Sequence, residues 1–122
     1  MQMRLKKLAQ EFDAMGDIEY PVEGIDPERK AFIDVVWFDQ KGDPLLALEL
    51  DSSLRTKSIR KLLHAKREYG FPYVVWICYT RKPKHLSSVV AQHDPERSVY
   101  VIHLPGVNFP KKKSQGIQDT LF

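Results

Sequence analysis

Apolar residues recur at spacings of three and four near the start of the chain, at Leu5, Leu8, Phe12 and Met15. That period predicts an amphipathic helix over residues 2–15, with Gly16 as its stop. The period then changes. "DIEYPVEGID" predicts a short first strand and a turn, and "AFIDVVWFD" a strong strand broken by a single charge, Asp34. "QKGDP" carries turn chemistry, so "LLALELD" is expected to return antiparallel as the second arm of a hairpin.

Beyond it, Thr56 or Ser58 offers an N-cap, and Ile59, Leu62, Leu63 and Tyr69 form a helical stripe that ends at Gly70. "YVVWICYT" is the most apolar run and is expected to be the central strand, covered on both faces. "KPKHLSSVVAQH" predicts a short helix with Pro83 in its first turn, and "SVYVIHLP" a last strand. The order α-β-β-β-α-β-α-β predicts an α/β fold with a mixed central sheet and helices on both faces. The strands before and after the second helix should run parallel. Residues 1–104 read as one domain. Residues 105–122, "PGVNFPKKKSQGIQDTLF", have no sustained period and read as an exposed tail.

Composition narrows the class. With 122 residues, 43% of them hydrophobic and 29% charged, the chain can bury one core, which argues against wholesale disorder. No apolar run approaches the roughly 20 residues that span a bilayer, and the N-terminus lacks the apolar centre of a signal peptide. The single cysteine, Cys78, excludes an internal disulfide and reads as a buried small hydrophobe, so a cytoplasmic location is expected. His64, His85, His93 and His103 do not have the spacing of metal ligands, and the absence of a glycine-rich phosphate loop argues against nucleotide hydrolysis.

Net charge is only +3, but the charges are segregated. Asp13, Asp17, Glu19, Glu23, Asp26 and Glu28 crowd the first third. From Ser52 to Arg67 there is no acid, against Arg55, Lys57, Arg60, Lys61, Lys66 and Arg67. A basic face of this kind fits either a polyanion binder or a merely solvated helix.

"ALELDSS", from Ala47 to Ser53, sets Glu49 and Asp51 two apart on an otherwise apolar strand, so both point to one face. Asp34 on the hairpin partner can join them where the register agrees. Clustered carboxylates repel and lose hydration unless a cation sits among them. Oxygen ligands with open positions suit Mg²⁺ or Mn²⁺. The opposing reading is that the acids face solvent as structural charges of a small interaction domain. The apolar neighbours Ile33, Val35, Val36, Leu48 and Leu50 speak against that.

Element order and residues together resemble the core of the PD-(D/E)XK nuclease superfamily, whose fold is called restriction endonuclease-like. "FID" at 32–34 matches its first acidic motif, and "ELD" at 49–51 matches the acid-any-lysine motif, with Asp51 in the place of the lysine. The resemblance implies a metal-dependent DNA endonuclease using Mg²⁺ or Mn²⁺. Asp34, Glu49 and the Leu50 carbonyl would be the metal ligands. Some branches add a glutamate from the first helix, here Glu11. Others draw the missing positive charge from the second helix, where Lys57, Lys61 and His64 fall on one face. Asp51 would then be a further acid of the site, and Arg55, Arg60, His64 and Arg67 would join the lysines on DNA phosphates. Dimers are frequent in the family, so a homodimer is among the expected assemblies. A non-cleaving DNA- or clamp-binding descendant is the alternative that Asp51 leaves open.

The chain ends "QDTLF", which resembles the motif by which bacterial replication and repair proteins bind the sliding clamp, with Gln118, Leu121 and Phe122 as its contacts. Read from Gln115, it also resembles the archaeal and eukaryotic clamp-binding box. Together the resemblances imply a structure- or lesion-directed repair nuclease recruited by a clamp.

Overall fold

The computed structural model describes residues 1–79 and 83–104. The expected tail, with Gln118, Leu121 and Phe122, lies outside the described residues. Within them the order is α1 (Gln2–Leu8), a 3-10 turn (Ala9–Phe12), β1 (Met15–Asp26), β2 (Arg29–Phe38), β3 (Pro44–Asp51), α2 (Thr56–Glu68), β4 (Tyr73–Cys78), α3 (Pro83–His93) and β5 (Tyr100–His103). The expected element order holds.

One five-stranded mixed sheet runs β1-β2-β3-β4-β5. The first three strands form an antiparallel meander, and β3, β4 and β5 are parallel. The centre of the sheet is therefore β3 and not the more apolar β4, because β5 adds outside β4. The hairpin between β2 and β3 turns on Asp39, whose carboxylate accepts the amides of Lys41 and Asp43, and on Gly42 at φ 86°. Two cores flank the sheet. One packs Ile59, Leu62 and Ala65 of α2 and Leu86 of α3 against Ile33, Val36, Ala47, Val74 and Trp76. The other packs Leu5 of α1 against Val35, Leu48, Ile77 and Tyr79.

The first helix is shorter than the 2–15 expected. Asp13 adopts the left-handed conformation at φ 55° and ends the 3-10 turn, leaving Phe12 and Met15 exposed. Gly16 is not the helix stop. It pairs with Trp37 within β1, beneath α1, where a Cβ would lie 2.5 Å from the Lys6 carbonyl oxygen. A glycine is what lets the helix backbone rest directly on the strand. The first strand is long, 12 residues, and not the short one expected.

Face alternation breaks in the middle of both β1 and β2. In β1, Tyr20 and Val22 pack on the α2 side, yet Ile18, two residues before Tyr20, packs on the α1 side. In β2, Ala31 and Ile33 pack on the α2 side, while Val35 and Trp37 pack on the α1 side. The residues between are Glu19 and Asp34. Glu19 has φ 51°, which takes it out of the extended region and cancels the strand period of two. The sheet changes face where Asp34 stands.

Candidate metal centre

The β2–β3 ladder runs from Phe38 and Pro44 as far as Val35 and Leu48, and beyond that pair the carboxylates take over its hydrogen bonds. The Asp34 amide donates to Glu49 Oε2 at 2.7 Å, and the Leu50 amide donates to Asp34 Oδ2 at 2.8 Å. Each acid thus accepts a main-chain N–H of the opposite strand. This clasp brings the two carboxylates together at the end of β3, beside the start of α2.

Lys61, in the second turn of α2, reaches back to the pair. Its Nζ lies 2.5 Å from Glu49 Oε1 and donates to the Phe32 carbonyl at 2.8 Å. Glu49 is only 2% exposed, and no buried side-chain nitrogen or oxygen among the described residues lacks a partner. Burial, followed by the repulsion of Asp34, pushes the Glu49 carboxyl up to about 7 in spite of Lys61. Desolvation likewise raises Asp34, against the Leu50 amide and the Lys61 charge, which lower it. Burial outweighs the ion pair because the pair leaves most of the lost hydration unreplaced.

Glu49 and Asp51 share a face as expected, since both meet α2. Asp51, however, spends Oδ2 on two other donors, Ser58 Oγ at 2.5 Å and the Trp76 indole nitrogen at 2.7 Å. Ser58 is therefore a buried anchor inside the first turn of α2, and the N-cap residue is Arg55, not Thr56 or Ser58. Asp34, Glu49, Asp51 and Lys61 line a cleft of about 570 Å³, with Arg55 and Lys57 on its wall.

Other expected residues fall elsewhere. Glu11 is exposed on the 3-10 turn, and the α1 side chain that meets the site is Gln2. Its amide donates to Asp34 Oδ1 at 3.1 Å and to Glu19 Oε1 at 3.2 Å. His64 contacts the Glu23 carbonyl at 2.6 Å and lies tilted against Tyr69, whose hydroxyl accepts the Glu23 amide, so it braces β1 against α2. Arg60 and Arg67 are exposed on α2. Cys78 is buried, and its thiol is pushed up to about 12 by burial, which fits a packing role. Glu19 had no signal in the sequence alone: the β1–β2 register, with Ile18 on Val35 and Tyr20 on Ile33, is what sets it opposite Asp34. Gln2 had none, for it lies 32 residues from its partner.

Two carboxylates at one point match what a hard, largely hydrated cation such as Mg²⁺ or Mn²⁺ takes from a protein. Among the described residues no set of three or more His, Cys, Asp or Glu side chains is arranged to hold a metal ion. Likewise no helix is long and apolar enough to cross a membrane.

Compared with family models, curated proteins and solved structures, the chain matches none.

Proposed function

We propose that this protein is a divalent-cation-dependent DNA endonuclease with a restriction endonuclease-like fold. The observation that carries the reading is the meeting of Asp34, Glu49 and the Lys61 ammonium at one end of the sheet, in a cleft walled by Arg55 and Lys57. Lys61 stands in for the lysine that Asp51 displaces from the strand motif.

Asp34 and Glu49 would hold Mg²⁺ or Mn²⁺, which when bound polarises a phosphoryl oxygen and lowers the pKa of an attacking water. The chain's own part is positioning. The exchange of amides between Asp34 and Glu49 fixes both carboxylates without reliance on flexible side chains. Lys61 places positive charge where negative charge develops on the phosphate. Arg55, Lys57 and Arg60, exposed at and beyond the start of α2, hold flanking phosphates. The tail motif of Gln118, Leu121 and Phe122 would deliver the enzyme to DNA through a sliding clamp.

Purified protein should cut branched, nicked or mismatched DNA in Mg²⁺ or Mn²⁺ and should lose that activity in Asp34→Ala and Glu49→Ala. Cleavage that survives both substitutions sinks the proposal. A second reading, a non-cleaving DNA- or clamp-binding module, draws on the commitment of Asp51 to Ser58 and Trp76. It expects DNA binding that falls steeply with salt and no cleavage with any divalent ion.

A further inference from the structure

Each of the four oxygens of Asp34 and Glu49 meets one protein donor. Two donors are main-chain amides, Asp34 N on Glu49 Oε2 and Leu50 N on Asp34 Oδ2, and the strands hold them in place. The other two are the ends of flexible side chains, Gln2 Nε2 on Asp34 Oδ1 and Lys61 Nζ on Glu49 Oε1. Gln2 is neutral, and a cation can share the oxygen it touches at modest cost. Lys61 is charged. A divalent ion approaching Glu49 Oε1 meets an ammonium 2.5 Å from that oxygen, and two cations that close repel strongly.

The same contact also withholds Lys61 from a substrate. Its hydrogen-bonding capacity is directed inward, to Glu49 and to the Phe32 carbonyl. A phosphate in the cleft beside Arg55 and Lys57 would find two of the three ammonium N–H groups already engaged.

We propose that Lys61 is an exchangeable internal counter-ion of Glu49, displaced by the incoming divalent cation and thereby released toward the phosphate in the cleft. Cation entry and delivery of the lysine are then one exchange. This inference rests on reading Asp34 and Glu49 as the cation site. The fold supplies the parts. Glu49 is buried and, when ionised, needs a positive partner, and Lys61 is half-buried on a helix that also lines the cleft. Losing the ammonium exposes only one carbonyl, that of Phe32 on an exposed residue, which water can satisfy.

Two measurements on the full chain test it. The first is Mn²⁺ affinity at pH 8, read from the electron paramagnetic resonance signal of free Mn²⁺. Lys61→Met should bind about tenfold more tightly than wild type, because a competing charge is gone. Lys61→Arg, which keeps the charge, should stay close to wild type, and Glu49→Gln should abolish binding. Equal or weaker binding by Lys61→Met, with Glu49→Gln still null, overturns the exchange and leaves the cation site standing. Absence of Mn²⁺ binding in both wild type and Lys61→Met overturns both.

The second measurement needs no variant. Linkage is reciprocal, so a cation that expels Lys61 must make its amine more accessible. Brief acetylation of the wild-type protein followed by peptide mass spectrometry should show Lys61 modified several-fold faster with saturating Mg²⁺ than without, while exposed Lys57 changes little. Unchanged or slower modification of Lys61 contradicts the proposal.

Discussion

Trp76 donates its indole N–H to Asp51 Oδ2 at 2.7 Å, across the parallel pair of β3 and β4. Asp51 is thus an acceptor in a part-buried network, shared with Ser58 of α2. Removing it strands two donors. Asp51→Ala should lower stability by about 2–3 kcal/mol in urea unfolding followed by Trp fluorescence. On the proposed function, Asp51→Lys, which puts a lysine at the motif position, should destabilise at least as much and bring no gain in cleavage. An active, stable Asp51→Lys enzyme would show that the strand position, and not Lys61, is the natural seat of the positive charge.

Glu49 makes the fold sensitive to pH in the direction opposite to an ordinary salt-bridged acid. Its carboxyl lies at about 7 in the folded protein against 4.5 for the free group. Between those values the folded state holds a proton that the unfolded chain has lost, so stability falls as pH rises. The contribution is whole below about pH 4.5 and spent by about pH 7, and amounts to about 3 kcal/mol. Asp34 is shifted the same way, chiefly by its own desolvation. Chemical denaturation of wild type from pH 5 to 8 should show this fall, and Glu49→Gln should flatten most of it. A wild-type curve that rises through that range would contradict the assignment.

Gly16 carries α1. A methyl group there would lie 2.5 Å from the Lys6 carbonyl oxygen and 2.8 Å from the Lys6 Cα, both main-chain atoms that can move only with the helix. Gly16→Ala should cost about 1–3 kcal/mol through overpacking, read as a lower Tm. Since α1 presents Gln2 to Asp34, the same substitution should perturb Mn²⁺ affinity although Gly16 touches neither acid. Gly42→Ala, in open space at φ 86° in the hairpin turn, provides the contrast: it strains the backbone without moving α1.

On the proposed function, Lys57 and Arg60 contact phosphates and carry no sequence information. Alanine at either should weaken DNA binding at every sequence tested and reduce the slope of log affinity against log salt by about one. Lys7→Ala, an exposed lysine of α1 across the sheet from α2, should leave the slope unchanged. Equal effects at Lys7 and Lys57 would place the DNA elsewhere.

Much of this architecture is written in local pattern. The change from a helical period to alternation after Gly16, the turn residues of "QKGDP" and the basic amphipathic stretch from Thr56 place the elements up to α2 in order. They also put Asp34 and Glu49 on adjacent strands. These features are legible because they depend on neighbours a few residues apart, where periodicity and turn chemistry act. Tertiary structure decided the rest. Counting by twos from Ile33 puts Val35 on the same face, yet it packs on the other, at the level where left-handed Glu19 breaks the period of the neighbouring strand. Asp51 shares a face with Glu49 but binds Ser58 and Trp76, a choice made by α2 and β4 as they pack around it. Gln2 reaches Asp34 only because Gly16 lets α1 settle onto β1. Which carboxylate meets which donor was a matter of how the layers close over one another, and no local period encodes that.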